Sequence, residues 1–141
     1  MEDLYFTILK LGIATLKTWA ETQTPVPGIA EPNRVFKPPV GSPWVRIDFL
    51  PAQPWPAGLG VDALNENKGL FQFSLHYPLD VAWGKPTKMV DSLCNAFKRG
   101  TRLIDGTCAV TIEKAWPSAG WQDGSFFITP ISVAWNCYAS N

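Results

Sequence analysis

The 141-residue chain has little of what most chemistry needs: one histidine, three cysteines and no net charge. Twelve basic residues cancel twelve acidic ones. That balance argues against a nucleic-acid binder, because phosphate recognition needs a dense basic footprint. No run of five like charges occurs, so no electrostatic tail is present. Cys94, Cys108 and Cys137 are odd in number and widely spaced, without CxxC or another zinc spacing. They read as reduced thiols, and Cys94 belongs to an apolar helix face. The start, Met1-Glu2-Asp3, is acidic where a signal peptide needs positive charge. The apolar run from Leu4 to Ala14 is broken by Thr7 and Lys10 and is too short to span a membrane.

What the chain does hold is seven tryptophans, eight phenylalanines and thirteen prolines. Such a mixture suggests a small aromatic core with stiff, extended connections. The length favours one domain over residues 1–141, with enough chain for one real core.

The most informative stretch runs from Lys68 to Leu103. Leu70, Phe71, Phe73, Leu75 and Tyr77 are apolar, with Gln72, Ser74 and His76 between the last four. This alternation is that of a half-buried strand, which Pro78 closes. Pro86 suits the first turn of a helix. Val90, Leu93, Cys94 and Phe97 then follow the i, i+3, i+4, i+7 spacing of one helical face. Lys98 and Arg99 suit its C-terminal end, and Gly100 can take a left-handed cap.

Upstream, residues 2–22 predict a helix with Leu4, Ile8, Leu11, Thr15 and Trp19 on one stripe, widened by Ile13, Leu16 and Ala20. Glu2 and Asp3 suit its N-terminus, and Pro25 and Pro27 stop it. Residues 24–43 contain six prolines and predict a short edge segment at 29–31 and a polyproline-like approach at 37–39. Trp44–Leu50 alternates, Trp44, Arg46 and Asp48 against Val45, Ile47 and Phe49, and its natural partner is Leu70–Tyr77. Residues 51–68 form a loop far longer than a hairpin needs. Loops of that length are usually functional or mobile. This one carries Trp55, Leu59, Val61 and Leu64, apolar residues that read as a surface awaiting a partner.

Downstream, short strands are expected at 101–104 and 108–115, with Asp105-Gly106 as a turn. A turn region follows at 117–124, then a last strand at 126–138, where Pro130 marks an edge position or a bulge. The order is that of an α+β protein. It has a mainly antiparallel sheet, an N-terminal helix, a second helix packed on the sheet, and a long loop between two central strands.

Candidate chemistry is sparse. His76, mid-strand, has Asp80 nearby in sequence and Asp48 on the proposed partner strand. A His–Asp pair could serve as a base or a metal ligand, but no second histidine or nucleophile motif supports it, and an exposed polar strand residue is the simpler reading. Gly58-Leu59-Gly60 is not a phosphate loop, since no helix with a lysine follows at the right distance. Asp48 and Glu113 lie on separate strands, with nothing to make their carboxylates converge. Trp19 and Trp135 sit at periodic apolar positions and read as core. No catalytic, cofactor or metal site is expected. The remaining alternative is an aromatic-rich carbohydrate-binding module.

Three blocks carry a resemblance. The first is Ile29-Ala30-Glu31-Pro32-Asn33 with Phe36, Pro38-Pro39 and Pro43-Trp44-Val45-Arg46-Ile47. The second is Leu50-Pro51-Ala52-Gln53-Pro54, then Lys68-Gly69-Leu70-Phe71-Gln72-Phe73. The third is Gln122-Asp123-Gly124-Ser125-Phe126-Phe127 with Pro130-Ile131-Ser132-Val133. Together they resemble the tail terminator, or tail-completion, proteins of long-tailed bacteriophages. Many of those carry arginines in the long loop, where this chain has Asn65, Glu66, Asn67 and Lys68. The resemblance implies a structural virion protein without enzymatic activity, assembled in the host cytoplasm into a hexameric ring at the head-proximal end of the tail. Its implied partners are copies of itself, the major tail tube protein and the head–tail connector or stopper protein. The ring would offer DNA a passage without specific contact. Trp55, Leu59, Val61, Leu64 and Lys68 are the expected interface residues.

Overall fold

The computed structural model describes residues 3–60 and 63–139. In chain order the elements are α1 (Leu4–Glu21), β1 (Gly28–Ala30), β2 (Trp44–Pro51), β3 (Trp55–Pro56) and β4 (Asn65–Pro78). Then come α2 (Gly84–Ala96), β5 (Arg102–Asp105), β6 (Cys108–Pro117), β7 (Trp121–Asp123) and β8 (Phe126–Ala139). One sheet takes all the strands in the order β1-β2-β4-β8-β6-β5, with β3 on β4 and β7 on β8. Its pairs are antiparallel except β1 with β2.

β2 pairs with β4, the partner expected for it, in a register that runs from Trp44 opposite His76 to Leu50 opposite Leu70. Alternate residues then share a face. Val45 and Ile47 of β2, Phe71, Phe73 and Leu75 of β4, Val110 and Ile112 of β6, and Ile131, Val133 and Trp135 of β8 are all buried. They form one core with both helices. α2 contributes Met89, Val90 and Leu93, and Phe97 at its C-cap lies against Phe73. Cys94, expected on the same face, is only half-buried and packs at the margin. Gly100 is left-handed, φ +87°, but stands beyond the C-cap, in the turn into β5. The two helices are tied where Trp19 Nε1 donates to Ser92 Oγ at 3.0 Å.

The buried line of α1 is Ile8, Gly12, Leu16, Trp19 and Ala20. It is therefore rotated from the expected stripe, and Leu11 and Thr15 are half-buried. Gly12 explains the rotation. A Cβ there would lie 2.6 Å from the Phe71 ring, so the helix sets its bare backbone against the sheet. Asp3 occupies the N-cap with φ +57° and no side-chain cap bond, while Glu2 lies outside the described residues.

Three other expectations change. The stretch 51–68 is not one loop. β2 and β4 stay paired to Pro51 opposite Gly69, and β3 pairs with the start of β4 through Trp55–Glu66 and Pro56–Asn65. The turn region 117–124 contains β7, a short hairpin partner of β8. Pro130 is at neither an edge nor a bulge. It stands where the neighbour of β8 changes from β6, which ends opposite Ile131, to β7, which begins opposite Ile128. Its carbonyl accepts from Ser118 N–H on that side, so the missing N–H faces a gap in the ladder. The bulge falls instead in β6, between Ile112 and Lys114.

Candidate functional site

The fold leaves a projecting arm. The Asn65 end of β4 runs on past β2 with β3 beside it, and Ala57 N–H donates to the Leu64 carbonyl at 2.9 Å to carry the hairpin outward. Gly60 has φ +93°, a left-handed conformation that suits glycine at the tip. Trp55 on β3 is 69% exposed, Leu59 is fully exposed and Leu64 is 49% exposed. Such side chains on a narrow hairpin have no local core to enter. Val61 lies outside the described residues.

Lys68 does not share this position. It stands on β4 opposite Asn136 of β8, nearer the body of the sheet. Its ammonium lies 3.8 Å from Glu66 and 3.7 Å from Glu113. Glu113 also accepts from Asn136 Nδ2 at 2.8 Å, and Tyr138 Oη donates to Glu66 at 3.0 Å. That hydrogen bond holds the phenol proton and pushes the Tyr138 pKa above its ordinary value. The root of the arm thus has a polar network where its tip is apolar. Exposed pairs of this kind add little stability and mainly fix side-chain positions.

The His–Asp pairing considered from the sequence does not form. His76 is buried, not exposed: it stacks on Trp44 and its Nδ1 donates to the Ser74 carbonyl at 2.9 Å. Burial lowers its pKa, with Arg46 adding to the effect, while the Ser74 bond and Asp123 oppose it. Asp48 pairs instead with Arg46 at 3.5 Å. Among the described residues no three His, Cys, Asp or Glu side chains gather as a metal site. A carbohydrate platform would need exposed rings lying together. The stacked pairs Trp44–His76, Phe49–Trp135 and Phe71–Phe73 lie in or against the core, and among the described residues the exposed Trp55, Trp83 and Trp121 stack on no other ring.

A second open surface lies at the other end of β4. Pro78, Trp83, Pro86, Val90 and Phe127 line a largely apolar groove of about 580 Å³ where the chain turns into α2. Trp83, the N-cap residue, is 81% exposed. Asp80 and Ala82 in this turn have φ of +65° and +60°, the left-handed region. From the sequence alone this stretch reads as a plain turn into α2. A tryptophan next to glycine, just before a helix-initiating proline, was the signal available.

The family model described as phage tail terminator protein matches residues 7–135. One solved structure shares the fold over all of this chain and 98% of its own, with a TM-score of 0.78 at 20% identity. No curated protein matches the chain.

Proposed function

The chain belongs to the phage tail terminator protein family, and on that premise we propose that six copies close into a ring at the head-proximal end of the tail tube. Membership makes the chain a structural component of the phage tail. The finer reading is that the ring ends tube growth and joins the tail to the head connector, after assembly in the host cytoplasm. A tube subunit offers its successor the surface it has just used, and such a contact repeats without limit unless something caps it. A cap must match the tube on one side and present a different surface on the other.

The observation that supports this role is the pair of open apolar surfaces, the arm and the groove, at opposite ends of one long strand. Unlike surfaces at opposite ends allow a head-to-tail contact, which is the kind that closes rings. We assign the ring and tube contacts to Trp55, Leu59, Val61 and Leu64 of the arm, with Lys68 at its root. Several weak interfaces acting together then hold the ring in place. Deleting the gene from the phage tests the role. The expected outcome is filled heads without tails beside tubes of abnormal length. Normal-length tails joined to heads would refute it.

A further inference from the structure

Cys108 and Cys137 are 29 positions apart in sequence, yet their sulfurs lie 3.9 Å apart in the core. A single free cysteine in a core packs as a small apolar side chain. Two in mutual contact add chemistry, because each stands within reach of the other. A disulfide bond is about 2.05 Å long, so bond formation needs a further approach of roughly 1.9 Å.

The slack for that approach is in β6. Cys108 is its first residue and follows the exposed residues 105–107, whereas the pairing of β6 with β8 begins only at Thr111 opposite Asn136. The β5–β6 hairpin, in which Asp105 faces Cys108, can therefore shift at this end without breaking the β6–β8 ladder. Cys137 is fixed from the other side. It stands opposite Asn67 at the root of the arm, and the buried Asn67 amide donates to its carbonyl at 3.3 Å.

We propose that Cys108 and Cys137 are a latent disulfide site, closed by an oxidant of the peroxide class once the protein has left the host's reducing cytoplasm. The bond ties the β5–β6 hairpin to the strand that backs the root of the arm. The peroxide converts one thiol to a sulfenic acid and is itself reduced, releasing one water. The second sulfur then attacks the sulfenic sulfur. The S–S bond forms, and the hydroxyl leaves with the remaining thiol proton as a second water. Two electrons pass from the two thiols to the peroxide.

Burial makes this reaction slow. It shields both sulfurs and, with the neighbouring thiol, pushes the Cys108 pKa up to about 12, so little thiolate is present. Both cysteines nevertheless adjoin exposed residues, Thr107 and Tyr138. Local opening at this margin of the sheet admits the oxidant. Small-molecule thiols keep such pairs reduced in a cytosol, and the medium outside the cell does not. The timing rests on the proposed assembly in the host cytoplasm; the bond itself does not.

Thiol counting on the full chain tests the site. The natural chain is held for hours in dilute hydrogen peroxide, denatured, and labelled with N-ethylmaleimide. Before oxidation all three cysteines should take label. Afterwards only Cys94 should, and a reductant should restore the other two. Peptide mapping should find position 108 joined to position 137 within one chain. In Cys137→Ala both remaining thiols should stay labelled. The oxidised chain should melt about 5–15 °C higher, since the bond closes a long loop.

Three labelled thiols after oxidation, a link through Cys94, or loss of label that a reductant does not restore would each overturn the proposal. So would an unchanged melting point in the linked chain. Virions purified in the presence of the alkylating reagent should contain the link, and infected cells should yield the free thiols. A link formed in the isolated chain but missing from virions also overturns the proposal. Virions that lack the chain would instead refute the tail role, which the thiol count on the isolated chain does not depend on.

Discussion

Trp44 and His76 stand opposite each other on β2 and β4 and stack ring on ring, with centroids 3.6 Å apart and planes 15° from parallel. Phe126 closes the stack edge-on, 6.1 Å from each ring. The stack favours neutral imidazole, because burial lowers the His76 pKa below its ordinary 6.5. In acid the unfolded chain takes up this proton before the folded one. The stability conferred by neutral His76 is therefore complete above about pH 6.5 and is lost as pH falls through the lower folded value. Urea midpoints at pH 7.5 and 5.5 should fall more steeply for the natural chain than for His76→Phe. Equal slopes would show that the imidazole titrates as it does in water.

Gly12 sets how closely α1 approaches the sheet. Alanine is normally the better helix residue by about 1 kcal/mol. Here its Cβ would lie 2.6 Å from the Phe71 ring, which Phe49, Phe73 and Trp135 hold at centroid distances of 5.9 to 6.2 Å. Overpacking of about 1–3 kcal/mol should win. Gly12→Ala should therefore lower stability in denaturant titration, and a gain would mean that the ring shifts aside freely.

Leu93 of α2 is fully buried against the sheet. Truncation to alanine leaves a cavity, and Leu93→Ala should cost about 2–5 kcal/mol. A loss below about 0.5 kcal/mol would fall within the range of surface substitutions and remove this face from the core.

The thiols should be slow to react. Cys108 and Cys137 are buried with sulfurs 3.9 Å apart, and burial, with the neighbouring thiol, pushes the Cys108 pKa up to about 12. Burial and Asp91 raise Cys94 as well. Thiolate is the reactive form. A chromogenic disulfide reagent at pH 8 should therefore titrate the three thiols only after denaturant is added. Immediate reaction of Cys108 in the native protein would contradict the burial.

What the sequence made legible was whatever depends on period. The alternation in 44–50 and 70–77 identifies two partner strands, and the spacing of Val90, Leu93 and Phe97 identifies the buried face of α2. What stayed hidden depends on contacts distant in sequence. Gly12 reads as a weak point of a helix until Phe71 is seen against it. His76 looks solvent-facing by alternation, and only Trp44 and Phe126 bury it. The arm looks like a loop because β3 has two residues, too few to show a period. Half of the candidate surface was legible, since exposed apolar residues in a long connection are a local feature. The groove was not, because β4, β6, β8 and α2 all contribute to its wall.

The most direct measurement is the length of tail tubes polymerised in vitro from the tube protein of the same phage, with this chain added in amounts far below the tube subunit. Electron microscopy would give the length distribution, and a gold label on the chain would give its place. The expected result is shorter tubes as the chain is added, with label at one end only. Unchanged lengths, or label along the tube wall, would contradict termination by an end-bound ring.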